Sequence, residues 1–330
     1  MTSTDKDQHD LDNDALHADL VDAHCHPTDT PATLGAVATL RTRRVLMMGT
    51  REGDWDAIAD AASKWPTRVV PAFGVHPWFA HTVPTPPSAS AFTSLERILA
   101  SHPGALVGEI GIDSVAKDRT TGELYPFDQQ LAVFRAQLAL AGRMGRPVSV
   151  HTVRAHGCLV DVMREMAGKR QKKRNWKKER ELDRFYTQGD SDDDDGNEHG
   201  GEKEQREEEE EEVSRGASIP PAIMHHSYSG STETIRALVS LPNGMGARFY
   251  FSFSTGVNGR SPKTTDHIRA VPDDRILIES DLHDAQQIDA AVNDACRMVA
   301  EAKGWTMKET AERTRRNAER FLESVTNAIQ

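Results

Sequence analysis

The groups most able to do chemistry in this chain lie at the ends of short apolar or β-branched runs. They are Asp22-Ala-His24-Cys-His26, His76, Glu109, His151, His225-His226 and Glu279-Ser-Asp281. One residue separates His24 from His26, so on an extended strand both imidazoles point to one side and can grip one cation. Standing alone, such a pair reads more readily as two polar residues at a strand end. It does not stand alone. Four histidines and two carboxylates can serve two divalent ions, with Glu109 best placed to be shared. A shared carboxylate holds ions about 3.5 to 4 Å apart around a water that becomes a nucleophile at neutral pH. Imidazole and carboxylate donors suit Zn, Mn or Fe, and two-metal phosphoesterases also use Mg, so the metal's identity stays open. Asp281 could ligate one ion and take the proton of the attacking water. Its alternative reading is the N-cap of the following helix.

These groups act together only if the fold gathers them. The apolar runs give eight candidate strands, at Asp19–Ala23, Arg44–Met48, Arg68–Val75, Ala105–Gly108, Pro147–Val150, Pro221–Met224, Arg248–Phe253 and Arg275–Ile278. Helical spacing lies between most of them, as in Leu131, Phe134, Leu138 and Ala141, and again in Ile288, Val292, Ala295 and Val299. A final helix opens with Thr306-Met-Lys-Glu309, which has capping-box spacing. Strands alternating with helices predict a parallel sheet. Eight such units predict an α/β (β/α)8 TIM barrel, in which the carboxyl ends of all strands meet at one mouth. Six of the eight strands end in His, Asp or Glu, so residues distant in sequence would converge there.

Composition sets the limits. The 330 residues carry 40 Lys plus Arg against 51 Asp plus Glu, a formal charge of -11, with 37% hydrophobic residues. The stretch from Lys169 to Glu212 holds 11 basic and 17 acidic residues and too little apolar surface to order itself. We therefore expect a disordered acidic tail over 1–17 and a barrel domain spanning 18–330, interrupted by a disordered charged insert at about 169–216. The insert follows the helix after strand five, which places it away from the mouth and argues against a lid. Its basic run, Lys169 to Arg180, reads as a nuclear-import or nucleic-acid patch, or as the basic half of a polyampholyte loop. No apolar run reaches the roughly 18 residues of a membrane span, and the first twenty residues are unlike a signal or transit peptide. Cys25, Cys158 and Cys296 form neither a disulfide framework nor a zinc pair. The expected setting is the cytosol or nucleus.

Taken in order, Asp22-Ala-His24-Cys-His26, Gly74-Val-His76-Pro-Trp78, Gly108-Glu109-Ile-Gly-Ile-Asp113, Pro147-Val-Ser-Val-His151, His226-Ser-Tyr-Ser-Gly230-Ser231 and Glu279-Ser-Asp281 resemble the TatD-type metal-dependent deoxyribonucleases of the amidohydrolase superfamily. The resemblance runs from about Asp19 to Phe321. It implies a metal-dependent barrel that hydrolyses phosphodiester bonds in DNA, with His24, His26 and Asp281 on one metal, Glu109 bridging, and His151 and His226 on the second. Glu109 and Asp281 are the expected catalytic carboxylates, and His226 is preferred to His225, which reads as a strand residue. His76 resembles a pocket histidine beside the metals or phosphate. Trp78 reads as a pocket wall or as ordinary loop packing. The family's arginine after the fifth-strand histidine is displaced here to Arg154, and its Pro-Tyr after the last aspartate is replaced by Leu282-His283. Both changes touch groups expected at the substrate, so we expect His76, Trp78, Arg154 and His283 to contact it. The pattern with its insert resembles a fungal branch linked to partner proteins.

The expected activity is metal-dependent cleavage of phosphodiesters by a water that two divalent ions (Zn, Mg or Mn) activate. Because the body outside the insert is mildly acidic, DNA ends or short single strands are favoured over duplex DNA gripped along its backbone. Two alternatives remain: hydrolysis of a small carbonyl substrate by the same metal pair, or a protein-interaction factor on a metal-binding barrel, with a protein partner reached through the charged insert.

Overall fold

The structure is a computed structural model that describes residues 16–168 and 219–326. Eight parallel strands pair in sequence order. They are β1 (Val21–Cys25), β2 (Arg44–Met48), β3 (Val69–Phe73), β4 (Leu106–Asp113), β5 (Val148–Val153), β6 (Ile223–His225), β7 (Phe249–Phe253) and β8 (Ile276–Ile278). The two edges meet at the mouth, where the Asp281 N–H donates to the His24 carbonyl at 3.0 Å and the His26 N–H to the Leu282 carbonyl at 2.8 Å. This is the (β/α)8 barrel that the alternation predicts. Alternate residues serve two faces. Val45, Met47, Phe73, Val107 and Phe251 belong to the larger core cluster against the helices. Leu46, Met48, Leu106, Met224, Tyr250 and Leu277 form an inner cluster.

The helices that cover the strands are α1 (Glu52–Lys64), α2 (Thr93–Ser101), α3 (Phe127–Arg143), α4 (His156–Met166), α5 (Thr232–Val239), α6 (Thr255–Asn258), α7 (Thr264–Ala270), α8 (Ile288–Lys303) and α9 (Met307–Thr326). Leu131, Phe134, Leu138 and Ala141 lie on α3, and Ile288, Val292, Ala295 and Val299 are buried on α8. The first crossover has no α-helix. Two 3-10 turns, Pro27–Asp29 and Leu34–Thr39, replace it in a stretch that Pro27 and Pro31 interrupt. At the far end from the mouth α9 closes the barrel, with Ala318 and Phe321 in the inner cluster and the Phe321 ring edge-on to Tyr250 at 5.4 Å.

Several strands run further than the apolar pattern suggests. β1 extends to Cys25, β4 to Asp113 and β5 to Val153, so His24, Glu109 and His151 lie within strands rather than just beyond them. The β4–β5 ladder pairs Gly111 with His151 and Asp113 with Val153. Gly111 is required there, because a Cβ would stand 1.9 Å from the His151 carbonyl oxygen. His17, which the sequence places at the end of the tail, is buried. Residues 1–15 of the tail and the charged insert lie outside the described residues. The chain leaves them at Gly168, after α4, and returns at Ile219, before β6, at the end of the barrel opposite the mouth. Among the described residues no helix is long and apolar enough to cross a membrane.

Candidate metal centre

Glu109 is the hub of the mouth. Its Oε1 lies 2.7 Å from His226 Nε2 and 2.8 Å from His151 Nδ1, and its Oε2 lies 3.3 Å from His26 Nε2 and 3.4 Å from His24 Nε2. Oε2 thus faces one pair of imidazoles, and Oε1 a second pair together with His76 Nε2 at 3.3 Å. Within the pairs, His24 Nε2 and His26 Nε2 are 3.0 Å apart and His151 Nδ1 and His226 Nε2 are 3.2 Å apart. Asp281 Oδ1 stands 3.8 and 3.9 Å from the nitrogens of His24 and His26. These atoms come from β1 and the residue after it, from β4 and β5, and from the segments after β6 and β8, up to 257 positions apart in sequence (Asp281 less His24).

The donor atoms fit divalent cations. A tetrahedral cation with bonds of about 2.0 to 2.1 Å sets its ligand atoms about 3.3 Å apart. The separations within the His24, His26 and Glu109 Oε2 set, 3.0 to 3.4 Å, bracket that edge. The other set, His151, His226 and Glu109 Oε1, spans 2.7 to 3.2 Å. His24, His26 and Asp281 also lie close enough to hold one ion together. Repulsion between nitrogens turned toward each other needs a cation or protons between them.

The cluster is held by partners that lie within the same motifs but had no role assigned to them. Ser149 Oγ on β5 pairs with His24 Nδ1 at 2.9 Å, which turns His24 Nε2 toward Glu109. Asp113, at the end of β4, lies 3.8 Å from His151 Nε2 and accepts from Trp78 Nε1 at 2.9 Å. Glu279 sits 3.9 Å from His226 Nδ1 and accepts from Ser227 N–H at 2.7 Å, from the Ser227 hydroxyl at 2.6 Å, and from the Ser252 hydroxyl. Asp22 ties β1 to the segment after β8 by accepting from Ser280 N–H at 2.9 Å and its hydroxyl at 2.5 Å. Such outer contacts fix the orientation of metal-binding histidines.

Burial and charge oppose each other throughout. Burial would raise the Glu109 carboxyl, but the imidazoles of His76, His226 and His24 outweigh it and hold it well below the carboxylate range. Burial drives His24 down to about 3 and His76 to about 4. In His26 the pull of Glu109 overcomes burial, and in His151 that of Asp113 and Glu109 does so, raising both to about 9. Burial pushes Glu279 and Asp22 up to about 7 in spite of their serine donors. For Asp281 burial also acts upward, and His226, His24 and His26 more than reverse it, so the carboxylate is ionised at neutral pH.

The remaining predicted residues separate. His76 Nε2 reaches Glu109 Oε1 at 3.3 Å, while its Nδ1 accepts the Trp78 backbone N–H at 3.2 Å. The neutral ring therefore carries its proton on Nε2 and offers the centre a donor rather than a lone pair. Trp78 lies edge-on to His76 with ring centroids 5.0 Å apart, and it is 40% exposed. His283 stacks on His26 at 5.3 Å and pairs with Asp29 Oδ2 at 2.8 Å. Arg154 is exposed at the end of β5, and its carbonyl accepts from Ser114 Oγ at 3.1 Å. His225 ends β6 and is buried, its ring parallel to that of His156. Asp281 is not a helix cap. That role falls to Asp284, which accepts from Gln286 N–H.

Comparison with known proteins bears on this centre. The family model described as TatD related DNase matches residues 21–323. The chain belongs to this family. A relative spanning nearly its whole length is the Cut9-interacting protein scn1 of Schizosaccharomyces pombe, 31% identical over 92% of this chain and 98% of that protein. The 3'-5' ssDNA/RNA exonuclease TatD of Edwardsiella piscicida is 29% identical over 41% of this chain and 48% of its own length. Among solved structures, the TatD homologue YjjV of Escherichia coli superposes with a TM-score of 0.62 at 19% identity, covering 93% of this chain and 98% of that one. That likeness shows the shared barrel. As a TatD-family member the protein is a metal-dependent hydrolase with His, Glu and Asp clusters able to bind metal.

Proposed function

We propose that this TatD-family protein hydrolyses phosphodiester bonds at DNA ends or in short single strands, with two divalent cations held at the barrel mouth. The observation that carries the reading is the two-sided Glu109, each oxygen facing a separate histidine pair. One donor set is His24, His26, Asp281 and Glu109 Oε2, and the other is His151, His226 and Glu109 Oε1. When bound, such cations supply Lewis acidity toward a phosphoryl oxygen and lower the pKa of a water. The chain supplies the rest. Asp281, ionised and with a side chain 19% exposed against 4% for Glu109, is placed to take the proton of the attacking water. His76, whose Nε2–H faces Glu109 Oε1 at 3.3 Å, steadies that carboxylate oxygen beside the place where a phosphoryl group would bind. The name of the Edwardsiella relative supports a single-stranded substrate, and the acidic charge balance disfavours a tight grip on duplex DNA.

The test is release of nucleotides from an end-labelled single-stranded oligonucleotide with Zn, Mn or Mg. Cleavage by wild type that is lost in Glu109→Ala with the fold retained supports the reading. Absence of cleavage with all three metals removes it, and turnover of ester or lactone substrates would then favour the carbonyl alternative. The name of the fission-yeast relative supports a protein partner as a separate proposal. The insert expected to reach that partner lies outside the described residues.

A further inference from the structure

The exposed large apolar side chains among the described residues are Trp78, Val115, Leu124 and Val257. All four follow the carboxyl ends of strands, Trp78 after β3, Val115 and Leu124 after β4, and Val257 after β7, so all lie around the mouth. Single exposed apolar residues are ordinary, so what distinguishes one of them is how its side chain is held.

Trp78 is the best-built part of that rim. Its indole N–H is fixed by Asp113, which also lies 3.8 Å from His151 of the metal centre. His76 holds the ring edge-on, and the guanidinium of Arg119 stands 5.8 Å from the ring centroid. The ring is thus locked in place, 40% exposed, and one hydrogen-bonded residue away from the centre. A second flat pair, His81 and Tyr125, stacks at 4.6 Å with planes 2° apart on the same two loops.

We propose that Trp78 and Arg119 form a stacking site for the nucleobase next to the scissile phosphate. Aromatic platforms with nearby cations hold single strands without sequence preference, because every base offers a π face. A base can reach Trp78 only when splayed from its partner strand, so the site selects ends and single strands in a protein with an acidic charge balance. The inference rests on the phosphodiesterase reading for the chemistry of its ligand.

The test measures binding of labelled hexathymidylate with phosphorothioate linkages, which resist hydrolysis, to the metal-loaded full chain. The control is the same linkage chain with every base replaced by an abasic unit. Trp78→Ala is expected to weaken hexathymidylate binding roughly 10- to 100-fold, Trp78→Phe to keep most of it, and Arg119→Ala to weaken it by a smaller factor. The abasic chain should bind wild type and Trp78→Ala alike. Equal binding of hexathymidylate by wild type and folded Trp78→Ala would overturn the proposal. So would equal binding of base-bearing and abasic chains by wild type, which would assign the apolar rim to another occupant such as a peptide. The two readings fail separately. If the phosphodiesterase reading is wrong, an unmodified strand stays intact while the binding contrast persists; if the stacking site is wrong, cleavage proceeds without the contrast.

Discussion

Replacing Glu109 with glutamine keeps the shape of the hub and removes its charge. An amide has one oxygen, so whichever way it turns, one histidine pair faces an NH2 group where an acceptor stood. At the His151 and His226 pair the contacts affected are 2.8 and 2.7 Å long, and at the His26 and His24 pair 3.3 and 3.4 Å. A carboxylate about 3 Å from a unit positive charge gains about 5 to 6 kcal/mol at an effective dielectric constant of ~20. Relief of its burial returns part of that, so a net loss of about 2 to 3 kcal/mol is expected, or roughly 30- to 150-fold in cation affinity on the side left without an anion. Asp281 can compensate only at His24 and His26, so the His151 and His226 side is the one expected to empty. The assay is metal content at limiting cation, by mass spectrometry, alongside nucleotide release from a labelled strand and a circular dichroism check of the fold. We expect one ion fewer per chain and hydrolysis reduced at least about 100-fold. A folded Glu109→Gln protein with wild-type metal content and wild-type cleavage would refute the reasoning.

Three further outcomes follow from the same geometry. His226→Phe should lose a cation, whereas His225→Phe, whose ring stacks on His156 behind the mouth, should keep both, as metal analysis of the two variants would show. Gly111→Ala forces a Cβ against the His151 carbonyl oxygen. It should cost about 3 kcal/mol or more and lower the Tm by roughly 6 °C or more; a melting curve within 2 °C of wild type, by the same scale roughly a third of that effect, would contradict this. In the metal-free protein His26 and His151 are raised to about 9, so their contribution to stability is complete below about 6.5 and is lost as pH rises through about 9. Cation binding near neutral pH should accordingly release protons, read by calorimetry in buffers of different ionisation enthalpy, and buffer-independent heats would count against it.

The barrel was legible because its strands are apolar on both faces over most of their length and recur between helical patterns. What the pattern missed lies where polar residues enter the strands. Reading β4 by its apolar run stops at Gly108, yet the ladder continues through Glu109 to Asp113 because the inner face at the mouth is built for ligands rather than packing. The same cause shortens β1 before His24 and β5 before His151. At the centre, His24, His26, Glu109, His151, His226 and Asp281 could be named because each closes or follows an apolar run. Ser149, Asp22 and Glu279 stand in the same motifs, but their roles could not be read, since their contribution is a hydrogen bond to a residue on another segment of the barrel. For His76 the sequence places the ring near the centre, but only the Trp78 N–H to Nδ1 contact shows that it presents a proton there.

The most direct measurement is anomalous diffraction at the metal edges from crystals of the full chain grown with Zn or Mn. We expect two peaks, one among His24, His26, Asp281 and Glu109 Oε2 and the other among His151, His226 and Glu109 Oε1. A single ion, or ions bound without contact to Glu109, would contradict the two-cation centre.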